Sequence, residues 1–143
     1  IRVKDILKYM NDILIPLSLS TGHCNFPDNG KTLREITKDI PNAHGVYIIC
    51  DSKGEIVYIG KAGEIKQEGT LTKQGLHDRL NNQNNGKPRE DDFISKMEES
   101  NIDSIIINWY ELDSKEAPSL VEARLLQKYL DKYKRLPIWN KAF

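Results

Sequence analysis

The chain has 143 residues, 38% hydrophobic and 29% charged, which suits one globular domain with an ordinary core and excludes a disordered or fibrous chain. Lys plus Arg and Asp plus Glu both number 21, so the total lacks the basic excess of many nucleic-acid-binding proteins. No apolar run approaches the roughly 20 residues of a membrane span, and no signal-peptide pattern opens the chain, so no membrane partner is expected. Cys24 and Cys50 make neither a C-x-x-C nor a disulfide framework, and His23, His44 and His77 are scattered. A reduced, cytoplasmic setting without a zinc site is expected.

In chain order, Val3, Ile6, Leu7, Met10, Ile13, Leu14 and Leu17 follow the i, i+3, i+4, i+7 spacing of an amphipathic helix that Pro16 ends or kinks. Residues 18–31 read as loop, punctuated by Gly22, Pro27, Asp28, Asn29 and Gly30. Thr32 and Glu35 form a capping box opening a short helix with Leu33, Ile36 and Ile40 on one side. These first 40 residues read as an N-terminal helical extension, a packing element or partner surface, ahead of a core domain over 41–143.

Residues 45–60, GVYIICDSKGEIVYIG, read as a hairpin. Val46–Ile49 and Ile56–Ile59 are strand formers, and Asp51-Ser52-Lys53-Gly54 has the composition of a type I turn. With Cys50 opposite Glu55, Tyr47 falls opposite Tyr58, and two phenols share one face between Gly45 and Gly60. A cross-strand aromatic contact is the plain alternative. Lys61 follows Gly60, but Ala62 stands where a phosphate loop needs Ser or Thr, so Lys61 is either a solvated lysine or a phosphate contact.

A helix over 73–84 buries Leu76 and Leu80 and sets Arg79 beside the apolar stripe, from which it can turn toward a cleft or snorkel. A second short helix over 91–99 carries Phe93, Ile94 and Met97, and 103–112 reads as a buried strand. The last helix begins at Pro118, with Leu125, Leu126, Tyr129, Leu130 and Tyr133 as its stripe. Extended backward by three and four residues, the stripe lands on Glu122. A carboxylate there must be paired, hydrogen-bonded or metal-bound. A salt bridge to Arg79 and a Mg²⁺ ligand are the two readings. Trp139 reads as core, and Asn140 as a turn residue or site ligand. Charge is segregated: from Glu90 to Glu116 nine acids stand against Lys96 and Lys115, while from Arg124 onward six basic residues stand against Asp131. Acidic and basic binding faces, or two merely solvated surfaces, fit equally.

The two tripeptides GVY and YIG, with an arginine on the next helix, a glutamate on a later one and an asparagine near the end, resemble the GIY-YIG nuclease superfamily. Tyr47, Tyr58, Gly60, Arg79, Glu122 and Asn140 match family positions, and Ile40–Gly45 resembles the family's entry to its first strand. The likeness covers about residues 40–143. It implies an α+β fold, a small three-stranded antiparallel sheet flanked by helices, and hydrolysis of a DNA phosphodiester with one divalent metal, Mg²⁺ or Mn²⁺. It implies Glu122 as metal anchor, Arg79 as phosphate grip, Tyr47 as general base, Tyr58 as the group orienting water or phosphate, and Asn140 as a hydrogen-bonding group beside them. Gly60, Lys61 and His77 are the candidate substrate contacts. The sequence departs from the family at Gln83, where many members carry a histidine or tyrosine; His77 is a candidate substitute. The long segment from Gly60 to Arg79 is a DNA-contacting loop or decoration. A catalytically inactive module that binds nucleic acid or protein on the same fold is the alternative. Monomer and homodimer both remain open.

Overall fold

In the computed structural model, residues 3–71, 74–82 and 86–142 are described, with the backbone alone for 3–5. The expectation about Gln83 lies outside the described residues. The amphipathic stripe of the first segment forms α1 (Val3–Leu14), and Pro16 falls in the 3₁₀ turn Ile15–Leu17 that follows. The capping box forms as expected: Thr32 Oγ1 accepts from the Glu35 amide while the Glu35 carboxylate accepts from the Thr32 amide, opening α2 (Leu33–Ile36).

One expectation fails between them. Ser18–Phe26, read as loop, is strand β1. Its glycine and asparagine have low strand propensity and no apolar alternation marks it, but pairing with a neighbour decides the matter. That neighbour is β4 (Ile105–Leu112), which β1 meets antiparallel from Ser18↔Leu112 to Phe26↔Ile105. With β2 (Gly45–Asp51) and β3 (Ile56–Ala62) the sheet therefore has four antiparallel strands, not three, in the order β1-β4-β2-β3. The α+β class stands.

The hairpin turn is built as its residues require. The Gly54 amide donates to the Asp51 carbonyl at 3.1 Å, Asp51 Oδ1 accepts from the Lys53 and Glu55 amides at 2.9 Å each, and Gly54 takes the left-handed φ of +85°. The register differs from expectation. Asp51 N donates to Glu55 O, Cys50 pairs with Ile56, and a bulge at Val57 then carries Ile49 opposite Tyr58 and Tyr47 opposite Gly60. The shift is two residues, so the side-chain alternation survives and both tyrosines keep one face.

Each sheet face carries its own core. α1 and α5 (Pro118–Tyr133) cover one, packing Met10, Leu14, Leu125 and Leu126 on Val46, Ile48 and Leu112. α2, α3 (Leu76–Asn81) and α4 (Arg89–Glu99) cover the other, packing Leu33, Leu76, Leu80 and Phe93 around Tyr47, Ile49 and Ile107. After α5, Trp139 and Asn140 lie along the outer edge of β3. Among the described residues no helix is long and apolar enough to cross a membrane.

Candidate active site

The site sits at the β3 edge, where both helical layers meet the hairpin. Tyr47 and Tyr58 are diagonal neighbours on the face toward α3 and α4, with ring centroids 5.8 Å apart and planes at 34°. The Tyr47 ring lies over Gly60, where a Cβ would stand 2.5 Å from its Cζ and 2.6 Å from its hydroxyl oxygen. Only a residue without a side chain lets the phenol settle there.

α3 is aimed by its N-terminus. Asn42 Oδ1 accepts from the Gly75 and Asp78 amides at 3.2 and 3.0 Å, its Nδ2 donates to Asp78 at 3.0 Å, and the Leu76 amide donates to the Ala43 carbonyl at 2.9 Å. So the segment that enters β2 also caps α3. With Leu76 and Leu80 fully buried, Arg79 reaches back toward the hairpin, and its guanidinium faces the phenols of both Tyr47 and Tyr58.

α5 brings Glu122 to the same edge. Together with Tyr58, Asp92, Lys96, Leu126, Trp139 and Asn140 it lines a cleft of about 290 Å³. A second cleft, of about 220 Å³, runs past Lys61, Gly63, Gln74 and Arg79. Burial pushes the Glu122 carboxyl up, and Lys61 and Arg79 draw it partly back. Glu122 makes no salt bridge among the described residues, so the pairing with Arg79 entertained from sequence is not formed. Lys61 Nζ donates to Ser119 Oγ at 2.7 Å, one turn before Glu122 on the same helix.

Asn140 acts on the backbone. Its Oδ1 accepts from the Ile59 amide at 3.0 Å and its Nδ2 donates to the Ile59 carbonyl at 2.9 Å; the Trp139 amide donates to the Val57 carbonyl at 2.9 Å. Tyr58 is thus pinned on both sides. This two-point clamp leaves an edge strand without free ladder groups at that place.

Tyr47, expected as the base, is fully buried, and the phenol on the cleft wall is Tyr58. Burial pushes the Tyr47 hydroxyl up to about 12, against the opposing pull of Arg89 and Arg79. His77 lines neither cleft; its Nδ1 lies 3.9 Å from Asp78 Oδ1. Sequence reading missed Arg89, which is buried and donates to the Tyr47 hydroxyl at 3.1 Å. It also missed Asp92 and Lys96, whose side chains meet at 3.1 Å on the cleft wall. A signal existed: Arg89 lies four residues before Phe93 and eight before Met97, on the buried stripe of α4.

Among the described residues no three His, Cys, Asp or Glu side chains gather as a metal cluster. Glu122 by itself fits a different kind of site. It is a half-buried carboxylate without an ion-pair partner among the described residues, facing a polar cleft, and Mg²⁺ commonly keeps several waters while binding one or two protein carboxylates and substrate phosphates.

In sequence the chain is 28% identical over 101 residues to the UvrABC system protein C of Ruminiclostridium cellulolyticum, 71% of this chain and 14% of that protein. It is 49% identical over 35 residues to the UvrABC system protein C of Carboxydothermus hydrogenoformans, 24% of this chain and 6% of that protein. The chain thus spans a small part of the length of these relatives. No family model matches it, and no solved structure does.

Proposed function

We propose that this domain is a GIY-YIG-type endonuclease that hydrolyses DNA phosphodiester bonds with one divalent metal. The observation that carries the reading is the convergence of Tyr47, Tyr58, Arg79 and Glu122, drawn from four elements, on one end of the hairpin. The likeness to two UvrABC system proteins C agrees with a nuclease acting on DNA.

In this reading Glu122 holds Mg²⁺ or Mn²⁺, which polarises the scissile phosphate when bound. Arg79 lines the second cleft, and its guanidinium fork suits a non-bridging phosphate oxygen. Lys61, on the second cleft, meets the neighbouring backbone charge. The roles expected for the two phenols exchange. Tyr58, on the cleft wall, first releases its own proton to solvent and then, as the phenolate, takes the proton of the attacking water, the leaving oxygen being protonated from solvent; Tyr47 supports it from behind. A base must reach the proton it removes, and an enclosed hydroxyl does not. Water attacks phosphorus, the bond to the leaving oxygen breaks, and no covalent intermediate forms. Asn140 holds the Tyr58 backbone in place.

The test is cleavage of supercoiled plasmid with Mg²⁺ or Mn²⁺ by the parent chain and by Glu122→Ala. Nicked or linear product from the parent, lost in the variant and with chelator, is expected. Equal cleavage by both would overturn the assignment of Glu122. A folded parent that binds DNA in a salt-sensitive way without cutting any substrate would favour the inactive binding module instead.

A further inference from the structure

The Tyr47 hydroxyl is enclosed, yet it is not in an apolar setting. Arg89, in the first turn of α4, is 3% exposed, and its Nη2 donates to that hydroxyl at 3.1 Å. From Nη1 the same guanidinium donates to Asp92 at 3.3 Å. It lies 4.6 Å from the centroid of the Phe93 ring and 5.9 Å from that of Tyr58. Asp92 is shared with Lys96, whose Nζ stands 5.8 Å from the Tyr58 ring centroid. From the α3 side Arg79 reaches the same Tyr47 hydroxyl. Among the described residues, Arg89 Nε is buried without a hydrogen-bond partner. A guanidinium enclosed with an unsatisfied donor and a carboxylate that it shares costs stability. The family likeness assigns no role to this position.

We propose that Arg89 is a positioning residue for the tyrosine pair, holding the Tyr47 hydroxyl as an acceptor and so fixing the phenol behind Tyr58. The proposal rests on the nuclease reading. A hydroxyl offers two acceptor sites and one proton. With the Arg89 guanidinium donating from α4, one acceptor site of Tyr47 is taken, and the Arg79 guanidinium adds positive charge from the α3 side. Charge-assisted donors hold such geometry more firmly than neutral ones. The anchor is itself fixed, gripped by Asp92 on one side and lying over Phe93 on the other. Phe93 stacks on Trp139 at 6.5 Å, and Trp139 is the residue whose amide pins Val57. One packed chain, Arg89–Phe93–Trp139, therefore steadies both the hydroxyl of Tyr47 and the strand that carries Tyr58. Lysine would not serve equally, because a single point charge cannot donate to Tyr47 and Asp92 through a planar fork.

The test uses Arg89→Gln and Arg89→Met in the full chain, with tyrosine rings labelled at Cζ for NMR and the Tyr47 signal assigned by its loss in Tyr47→Phe. Both variants are expected to move the Tyr47 resonance and to shift its titration to higher pH. In plasmid cleavage they are expected to lower kcat by about tenfold or more, with KM within about threefold, since Arg89 lines neither cleft. A folded variant whose Tyr47 resonance and titration match the parent overturns the proposal, even if its cleavage is slower. Should Arg89→Met fail to fold, Arg89→Gln, which keeps an uncharged donor on a shorter side chain, decides on the same signal. Should the parent cut no DNA, the nuclease reading falls, and the Tyr47 signal still decides whether Arg89 positions this phenol.

Discussion

Gly60 stands directly opposite Tyr47 across the β2–β3 ladder, and the Tyr47 ring occupies the space that a Gly60 side chain would fill. The glycine is demanded by packing rather than by backbone angle. Gly60→Ala must push the phenol off its seat and away from Arg79 and Arg89. Overpacking of this kind costs about 1–3 kcal/mol, and activity should fall by about tenfold or more through loss of geometry. Gly54→Ala is the control. Nothing stands within 4 Å of its Cβ, but φ is +85°, so it should lose about 1 kcal/mol and keep its cleavage rate. Urea unfolding and plasmid cleavage measured side by side separate the two.

That pairing also marks how far the sequence could be read. The turn was legible because its causes are local: the Asp51 carboxylate capping two amides and a glycine with positive φ. The partner of Tyr47 was not, because the turn and a bulge at Val57 each slide the ladder by one residue, and nothing in the tripeptides announces a bulge. β1 escaped because Gly22 and Asn25 interrupt it and no apolar alternation marks it, so it is ordered by β4 rather than by itself. Glu122 was found by extending an apolar stripe backward. Arg89 would have yielded to the same step had α4 been started two residues earlier, at its observed N-terminus.

The enclosure of Tyr47 has a consequence for stability at high pH. Its hydroxyl is raised from 10.0 to about 12 in the folded chain, chiefly by burial. The folded state therefore holds this proton after the unfolded state has released it. The associated stability is whole below about pH 10 and is lost as pH rises through about 12. Tyr110, raised in the same direction by burial, adds to the slope. Tyr47→Phe should flatten the fall in urea midpoint across that window. An unchanged slope would mean that Tyr47 ionises in the folded chain as it does in the unfolded one.

Asn140 should behave as a clamp. Asn140→Ala removes both bonds to Ile59, strands a backbone amide and a carbonyl at the β3 edge, and should cost about 1–3 kcal/mol. Cleavage should fall with it, because Tyr58 lies between the two pinned residues. Asn140→Asp keeps an acceptor for the Ile59 amide but sets a carboxylate oxygen against the Ile59 carbonyl. It should therefore rescue neither stability nor activity. A cleavage loss in Asn140→Ala without any change in unfolding midpoint would instead assign Asn140 to the chemistry itself.

Arg79 offers the sharpest separation of charge from shape. It faces both phenols and lines the cleft that Lys61 shares. Arg79→Lys keeps the positive charge, so DNA affinity and its salt dependence should stay within about threefold of the parent. What lysine lacks is the planar fork that can meet two hydroxyls or a phosphate edge at once, so kcat should drop by about 100-fold. Arg79→Met should lose the same rate and weaken binding as well. If lysine restored the full rate, Arg79 would be acting as a point charge toward the phosphate backbone, and the two phenols would have to be held by Arg89 and Gly60 alone.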